Sequence, residues 1–194
     1  MQKLVLKGTL LACSLALSGA VLATPSGSML GNTCAGCHGT NGSSVGPATP
    51  TIAAMDPEVF MDSMKGYKDG SRPATIMGRI AKGYSEEEFK AMAEFFAKQE
   101  YVAAEQDADA AMAKKGAKLH EKYCEKCHED GGKTAEDGGI LAGQWLPYLT
   151  YSMEDYMSGA REMPKKMKKK VESMHKKAGD EGIKQLLNFY ASQK

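Results

Sequence analysis

The chain has 194 residues, 25 Lys/Arg against 24 Asp/Glu, four His and a formal charge of +1. So even a balance leaves no electrostatic footprint for nucleic acid or for an anionic membrane surface. The length allows one domain or two small ones, and domains of about 80 residues have thin cores that need a metal, disulfides or a cofactor.

In chain order, the opening segment MQKLVLKGTLLACSLALSGAVLA sets Lys3 and Lys7 ahead of an apolar run from Leu10 to Leu17 and ends on small residues at Ala23. This is the layout of a cleaved secretory signal peptide over residues 1–23, and the run is too short to span a membrane. Taking Lys3 and Lys7 from the 25 basic residues leaves 23 against 24 acidic ones. Reading Cys13 as a lipoprotein cysteine would cut the apolar stretch in half, so the processed chain is expected to begin near Thr24 and to keep four cysteines.

The remainder reads as one unit written twice. Met29-Leu30 leads to CAGCH at 34–38, a Gly-rich stretch, a helical run from Pro57 to Tyr67, ATIMGRIAKGYS, and a helix from Ser85 to Lys98. Ser85 with Glu88 forms a capping box, and Phe89, Met92, Ala93 and Phe96 recur at helical spacing. The second copy runs Lys118-Leu119, CEKCH at 124–128, a Gly-rich stretch, QWLPYLTYSMEDYMSG, REMPKKMKKKV and a closing helix from Gly182 to Gln193. No stretch alternates with a period of two. The expected fold class is therefore all-α, with two tandem domains at 24–104 and 105–194 joined by the Ala-rich, acidic EYVAAEQDADAAMA.

Cys-x-x-Cys-His has a specific chemical use. On a helix, residues three and four apart share a face, so Cys34, Cys37 and His38 can approach one flat ligand together, as can Cys124, Cys127 and His128. Two thiols can add across the two vinyl groups of a haem while the imidazole reaches the iron, which is the attachment motif of haem c. Zinc would want four ligands per site, yet the first half holds only His38. A thioredoxin-like pair would need a βαβ setting, and a disulfide framework leaves the trailing histidines unexplained. Two covalently bound haem c groups are the expected cofactors.

A thioether as sixth ligand raises the potential and closes the iron to small molecules. Met77 follows a turn and precedes the closing helix of its half, where the chain can cross the distal haem face; Met55, Met61 and Met64 compete, the last two reading as core filler. In the second half, matching Gly159-Ala160-Arg161 to Gly70-Ser71-Arg72 favours Met167 over Met163, which directly precedes Pro164. His175 offers a bis-His alternative, whereas His120 lies one turn ahead of Cys124 on the same helix; both read as surface histidines. Trp145, Tyr148, Tyr151 and Tyr156 read as packing against haem or against the other unit. The run from Arg161 to Lys177, eight Lys/Arg against two Glu, is either a solvated face or a docking patch for an acidic electron acceptor.

CAGCHGTNGSSVGPATPTIAAMDPEVF, ATIMGRIAKGYS, GAKLHEKYCEKCH, ILAGQWLPYLTY and FYASQK together resemble the dihaem cytochrome subunit of flavocytochrome c sulfide dehydrogenase. The resemblance implies two class I cytochrome c folds related by a pseudo-twofold, a periplasmic heterodimer with an FAD-containing flavoprotein that oxidises sulfide, and electron delivery to a soluble acceptor such as another cytochrome. It assigns His38 and Met77 to one iron and His128 and Met167 to the other, with no catalytic residue in this chain. No Gly-x-Gly-x-x-Gly follows a strand pattern, so the chain binds no flavin by itself. The rival expectations are a free-standing dihaem carrier feeding a terminal oxidase or other reductase, and a haem enzyme such as a peroxidase or thiosulfate-oxidising cytochrome with an open or unusual iron ligand.

Overall fold

The computed structural model describes residues 25–134 and 138–194; the signal peptide expected at 1–23 lies outside them. The described residues are helical with no strand: α1 Gly27–Asn32, α2 Ala35–His38, α3 Pro57–Asp69, α4 Met77–Ile80, α5 Glu86–Phe96, α6 Ala110–Tyr123, α7 Leu146–Ser158 and α8 Lys165–Ser192. No helix among them is long and apolar enough to cross a membrane.

Two separate cores form. The first gathers Leu30, Ile52, Phe60, Met64, Phe89, Met92 and Phe96; the second gathers Leu149, Met153, Val171, Met174, Leu186, Leu187 and Tyr190. In each half the first helix crosses the last, α1 on α5 and α6 on α8. The crossing is close because a glycine sits at the contact. A Cβ on Gly27 would run into the Ala91 carbonyl, and one on Gly116 would run into the Gln185 carbonyl and come within 2.8 Å of the Phe189 Cβ.

Helix starts follow from local chemistry. Asp56 accepts from the amides of Glu58 and Val59 ahead of Pro57, Ser85 and Glu88 form the reciprocal capping box, and Asp109 accepts from Met112. α3 and α7 both stop at a left-handed glycine, Gly70 and Gly159. The closing element of the second half differs from the expected Gly182–Gln193 helix. The Lys-rich run is itself helical, and α8 spans Lys165–Ser192 with a break at Gly179, whose φ is 61°. The first half instead turns through a one-turn 3-10 helix, Ala81–Gly83, between α4 and α5.

The linker is not helical until Ala110. The Ala104 amide donates to the Gly143 carbonyl at 2.7 Å, and Gln106 bridges to the Gln144 carbonyl at 2.8 Å and to the Leu146 amide at 2.8 Å. Across the two halves, the Gln144 amide group pairs with both backbone groups of Thr51, accepting from its N–H at 3.0 Å and donating to its C=O at 3.0 Å. Trp145 Nε1 donates to the Ser44 carbonyl at 3.2 Å. Trp145, and Tyr148, whose Oη accepts from Arg72 at 3.3 Å, thus face the other unit, one of the two surroundings expected for the aromatic series, whereas Tyr151 is 56% exposed and packs against neither core.

Two predictions follow from these contacts. An ordinary exposed helical Gly→Ala gains about 1 kcal/mol, but Gly116→Ala should lose about 1–3 kcal/mol through overpacking, seen as a lower urea midpoint with an unchanged slope. Gln144→Ala strands the buried amide and carbonyl of Thr51 and should cost about 2 kcal/mol in the same titration; an unchanged midpoint would mean that water satisfies both groups.

Candidate haem-binding sites

Each Cys-x-x-Cys-His lies just past the first helix of its half, where the glycine crossing has fixed that helix against the core. The His38 amide donates to the Cys34 carbonyl at 2.9 Å and the Cys37 amide to the same carbonyl at 3.2 Å; the second half repeats this at His128 and Cys127, both 3.0 Å from the Cys124 carbonyl. One turn thereby holds two thiols and an imidazole on one face. All four cysteines among the described residues are free. Burial pushes the Cys34 and Cys124 thiols up, so both are kept neutral until they react.

His38 is buried, with Nδ1 at 2.9 Å from the Pro50 carbonyl. A carbonyl can only accept, so Nδ1 carries the proton and Nε2 presents a lone pair, the arrangement a metal-ligating histidine needs. Desolvation holds its pKa below the ordinary value, which favours the neutral, ligating form. His128 is also shifted down, by burial first and then by the neighbouring His120. Its Nδ1 is buried without a hydrogen-bond partner among the described residues.

The loops behind the histidines repeat as well. The Gly42 carbonyl accepts from Ile52 and Ala53 at 2.8 and 3.2 Å; the Gly132 carbonyl accepts from Leu141 and Ala142 at 2.9 and 3.0 Å. Both glycines have positive φ, 85° and 91°, and a Cβ would meet Phe96 in one half and Tyr190 in the other. Glycine is required there on both counts.

Methionines also pack against each core. Met77 opens α4 and is half-buried against the first core, with Ala81 fully buried one turn later. Met64 is a buried core residue, while Met55 and Met61, like Met77, are partly buried against that core. Met167, in the first turn of α8, has Val171 buried one turn later, so it repeats the Met77–Ala81 spacing; Met163, two residues before the helix, also packs against this core.

One expectation from sequence is corrected. His120 is 3% exposed rather than on the surface. Its Nδ1 lies 3.0 Å from Tyr190 Oη, and its Nε2 pairs with Glu125. The ring fills the space over Phe189, 5.0 Å between centroids, and burial with the nearby Cys124 raises the Tyr190 pKa, keeping that phenol neutral. His175 is half-exposed and pairs with Asp180 at 2.8 Å.

These residues fit a haem c in each half: two free thiols and an imidazole on one helical turn, with methionine thioethers packed against the same core. A protein-only metal site does not fit, since among the described residues no three His, Cys, Asp or Glu side chains gather into a set that could hold a metal ion.

Comparison with known proteins agrees. Residues 27–100 match the cytochrome c family, and residues 111–189 match cytochrome c oxidase, cbb3-type, subunit III. The chain is 46% identical over 70 residues to the cytochrome subunit of sulfide dehydrogenase from Chlorobaculum tepidum, covering 36% of this chain and 63% of that protein. It is 34% identical to cytochrome c-554(548) of Halomonas halodenitrificans over 35% of this chain and 86% of that one. It is 27% identical to cytochrome c4 of Pseudomonas aeruginosa over 66% of this chain and 68% of that one. The fold matches reduced recombinant cytochrome c4 from Pseudomonas stutzeri with a TM-score of 0.74 at 22% identity, covering 87% of this chain and 97% of that one. With a Cys-x-x-Cys-His turn on an all-helical core in each half, the chain belongs to the cytochrome c family as two cytochrome c-like units in tandem.

Proposed function

We propose that this protein is a dihaem electron carrier of the cytochrome c4 kind, exported to the periplasm, in which units 24–104 and 105–194 form a pseudo-twofold pair of class I cytochrome c domains. The observation that carries the reading is the repetition of a complete attachment turn, at Cys34, Cys37 and His38 and again at Cys124, Cys127 and His128, on two cores hydrogen-bonded to each other through Gln144 and Trp145. The match to cytochrome c4 of Pseudomonas aeruginosa over 136 residues supports a relay built from both units. Bound haem supplies a one-electron ferric/ferrous couple.

The chain's own residues set the conditions for that couple. Cys34, Cys37, Cys124 and Cys127 would tether the haems, and His38 and His128, with Met77 and Met167, would supply ligands to their irons. The protein then acts by ligation, burial and spacing rather than by catalysis.

A second reading competes with the first. The 46% identity to the cytochrome subunit of sulfide dehydrogenase over 70 residues favours a chain that docks on an FAD-containing flavoprotein, takes electrons from sulfide oxidation and passes them to a soluble acceptor. Co-expression with a flavoprotein encoded alongside this chain decides between them: a stable complex reduced by sulfide supports the subunit, and a haem protein that purifies alone supports the free carrier.

Two measurements check the haem assignment. Pyridine haemochromogen analysis should give two haems per chain, and one after the double substitution Cys124→Ser with Cys127→Ser. The near-infrared band of methionine-ligated ferric haem should halve in Met77→Ala and again in Met167→Ala but persist in Met163→Ala. Each loss should lower one potential by at least 59 mV, a tenfold change in a one-electron equilibrium; if Met163→Ala removes the band and Met167→Ala keeps it, the second ligand is Met163.

A further inference from the structure

Half for half, three matched positions change from apolar to polar. His120 stands four residues before Cys124 and Glu125 one after it, as Leu30 and Ala35 stand to Cys34. Tyr190 corresponds to Phe96: each ring faces the positive-φ glycine of its own loop, Gly132 or Gly42, and each carbonyl accepts from a loop amide, Gly143 at 2.8 Å and Ala54 at 2.9 Å. Leu30 and Phe96 are core residues. Their counterparts are instead linked by hydrogen bonds, Tyr190 Oη to His120 Nδ1 at 3.0 Å and His120 Nε2 to Glu125 Oε2.

The partners place the protons. An ionised carboxylate only accepts, so Nε2 carries a hydrogen. Burial, then the nearby Cys124, keeps the Tyr190 phenol protonated, and it can donate to Nδ1. The formal charge of the set then sits on Glu125, whose pKa is lowered chiefly by the hydrogen bond from His120.

Glu125 lies inside the attachment turn, between Cys124 and Cys127. Its Oε1 accepts from the Asp130 amide at 3.1 Å, and Asp130 is a non-glycine residue at a φ of 49°, a sparsely populated conformation that persists when its surroundings hold it. The His120 carbonyl accepts from the Cys124 and Glu125 amides at 2.8 and 2.9 Å. His120 therefore holds the entry to the turn, and Glu125 ties together the two ends that bracket His128. The first half orients its histidine through the Pro50 carbonyl, whereas His128 Nδ1 has no partner among the described residues. Packing alone does not call for the polar set, because Leu30, Ala35 and Phe96 fill the same places in the first half.

We propose that His120, Glu125 and Tyr190 are positioning residues of the second haem site: they fix the turn that presents His128 and hold one negative charge beside it, lowering the potential of the second haem without that of the first. This rests on the dihaem reading above and adds to it a built-in difference between two repeated centres.

The test uses the dihaem holoprotein and follows each potential, the first haem being identified by the drop that Met77→Ala causes. Glu125→Ala removes a negative charge that favours the ferric state, so the second potential should rise by about threefold or more in its reduction equilibrium, about 28 mV at 59 mV per tenfold, while the first stays in place. Glu125→Gln should raise it likewise, and Glu125→Asp, which keeps the charge, should recover most of the wild-type value. In the ferrous protein the Asp130 amide should exchange with solvent about tenfold faster in Glu125→Ala. His120→Leu with Glu125→Ala and Tyr190→Phe restores the apolar set of the first half; it should raise the same potential and carries the test if Glu125→Ala does not load. The inference is overturned if the second potential rises by less than about threefold or falls, if both potentials move together, or if stability drops while neither potential moves. A wild-type chain holding fewer than two covalent haems would instead refute the dihaem reading itself.

Discussion

Everything in this molecule hangs on how closely the first and last helices of each half can cross. Gly27 against Ala91 and Gly116 against Gln185 bring backbone to backbone, and no larger side chain fits there. The crossing settles where the chain emerges, and it emerges directly into the Cys-x-x-Cys-His turn. A domain of this size cannot bury enough apolar surface to be robust alone. A haem bound at that turn would supply the missing core, and the contact that sets the helices would then set the cofactor as well.

The second constraint is the junction. The Gln144 side chain imitates a backbone strand partner by pairing with both groups of Thr51, and it is 4% exposed. Thr51 follows Pro50, the residue whose carbonyl orients His38. The segment that orients His38, the proposed ligand of the first iron, is therefore the segment gripped by the second half. Separate domains on a string would not couple the His38 orientation to the presence of the other half; here two adjacent residues, Pro50 and Thr51, do so.

Much of this was legible in the sequence because the repeat carries its own control. The order of parts, the capping box at Ser85 and the two attachment turns follow from residue types at fixed spacing. Other features did not, for identifiable reasons. His120 falls on a helix among lysines and looks solvated, but it faces α8, where Tyr190 and Phe189 receive it. The Lys-rich stretch lacks Gly or Pro until Gly179, so nothing local stops it joining the closing helix, and only the tertiary contacts of Val171 and Met174 reveal its buried side. Arg72 and Arg161 could be matched as equivalent in sequence, but that Arg72 donates to Tyr148 of the other half requires the junction. Met163 and Met167 both touch the core, which is why spacing alone leaves the pair close.

The central claim is that one chain carries electrons between two haems of its own. Rapid photoreduction of a small fraction of the haem, followed by the absorbance of each centre, tests it most directly. The account predicts that the electron redistributes between the two haems at a rate independent of protein concentration, because the path lies inside the molecule. A rate that rises in proportion to concentration would mean that the haems exchange electrons only by collision between chains, and would contradict it.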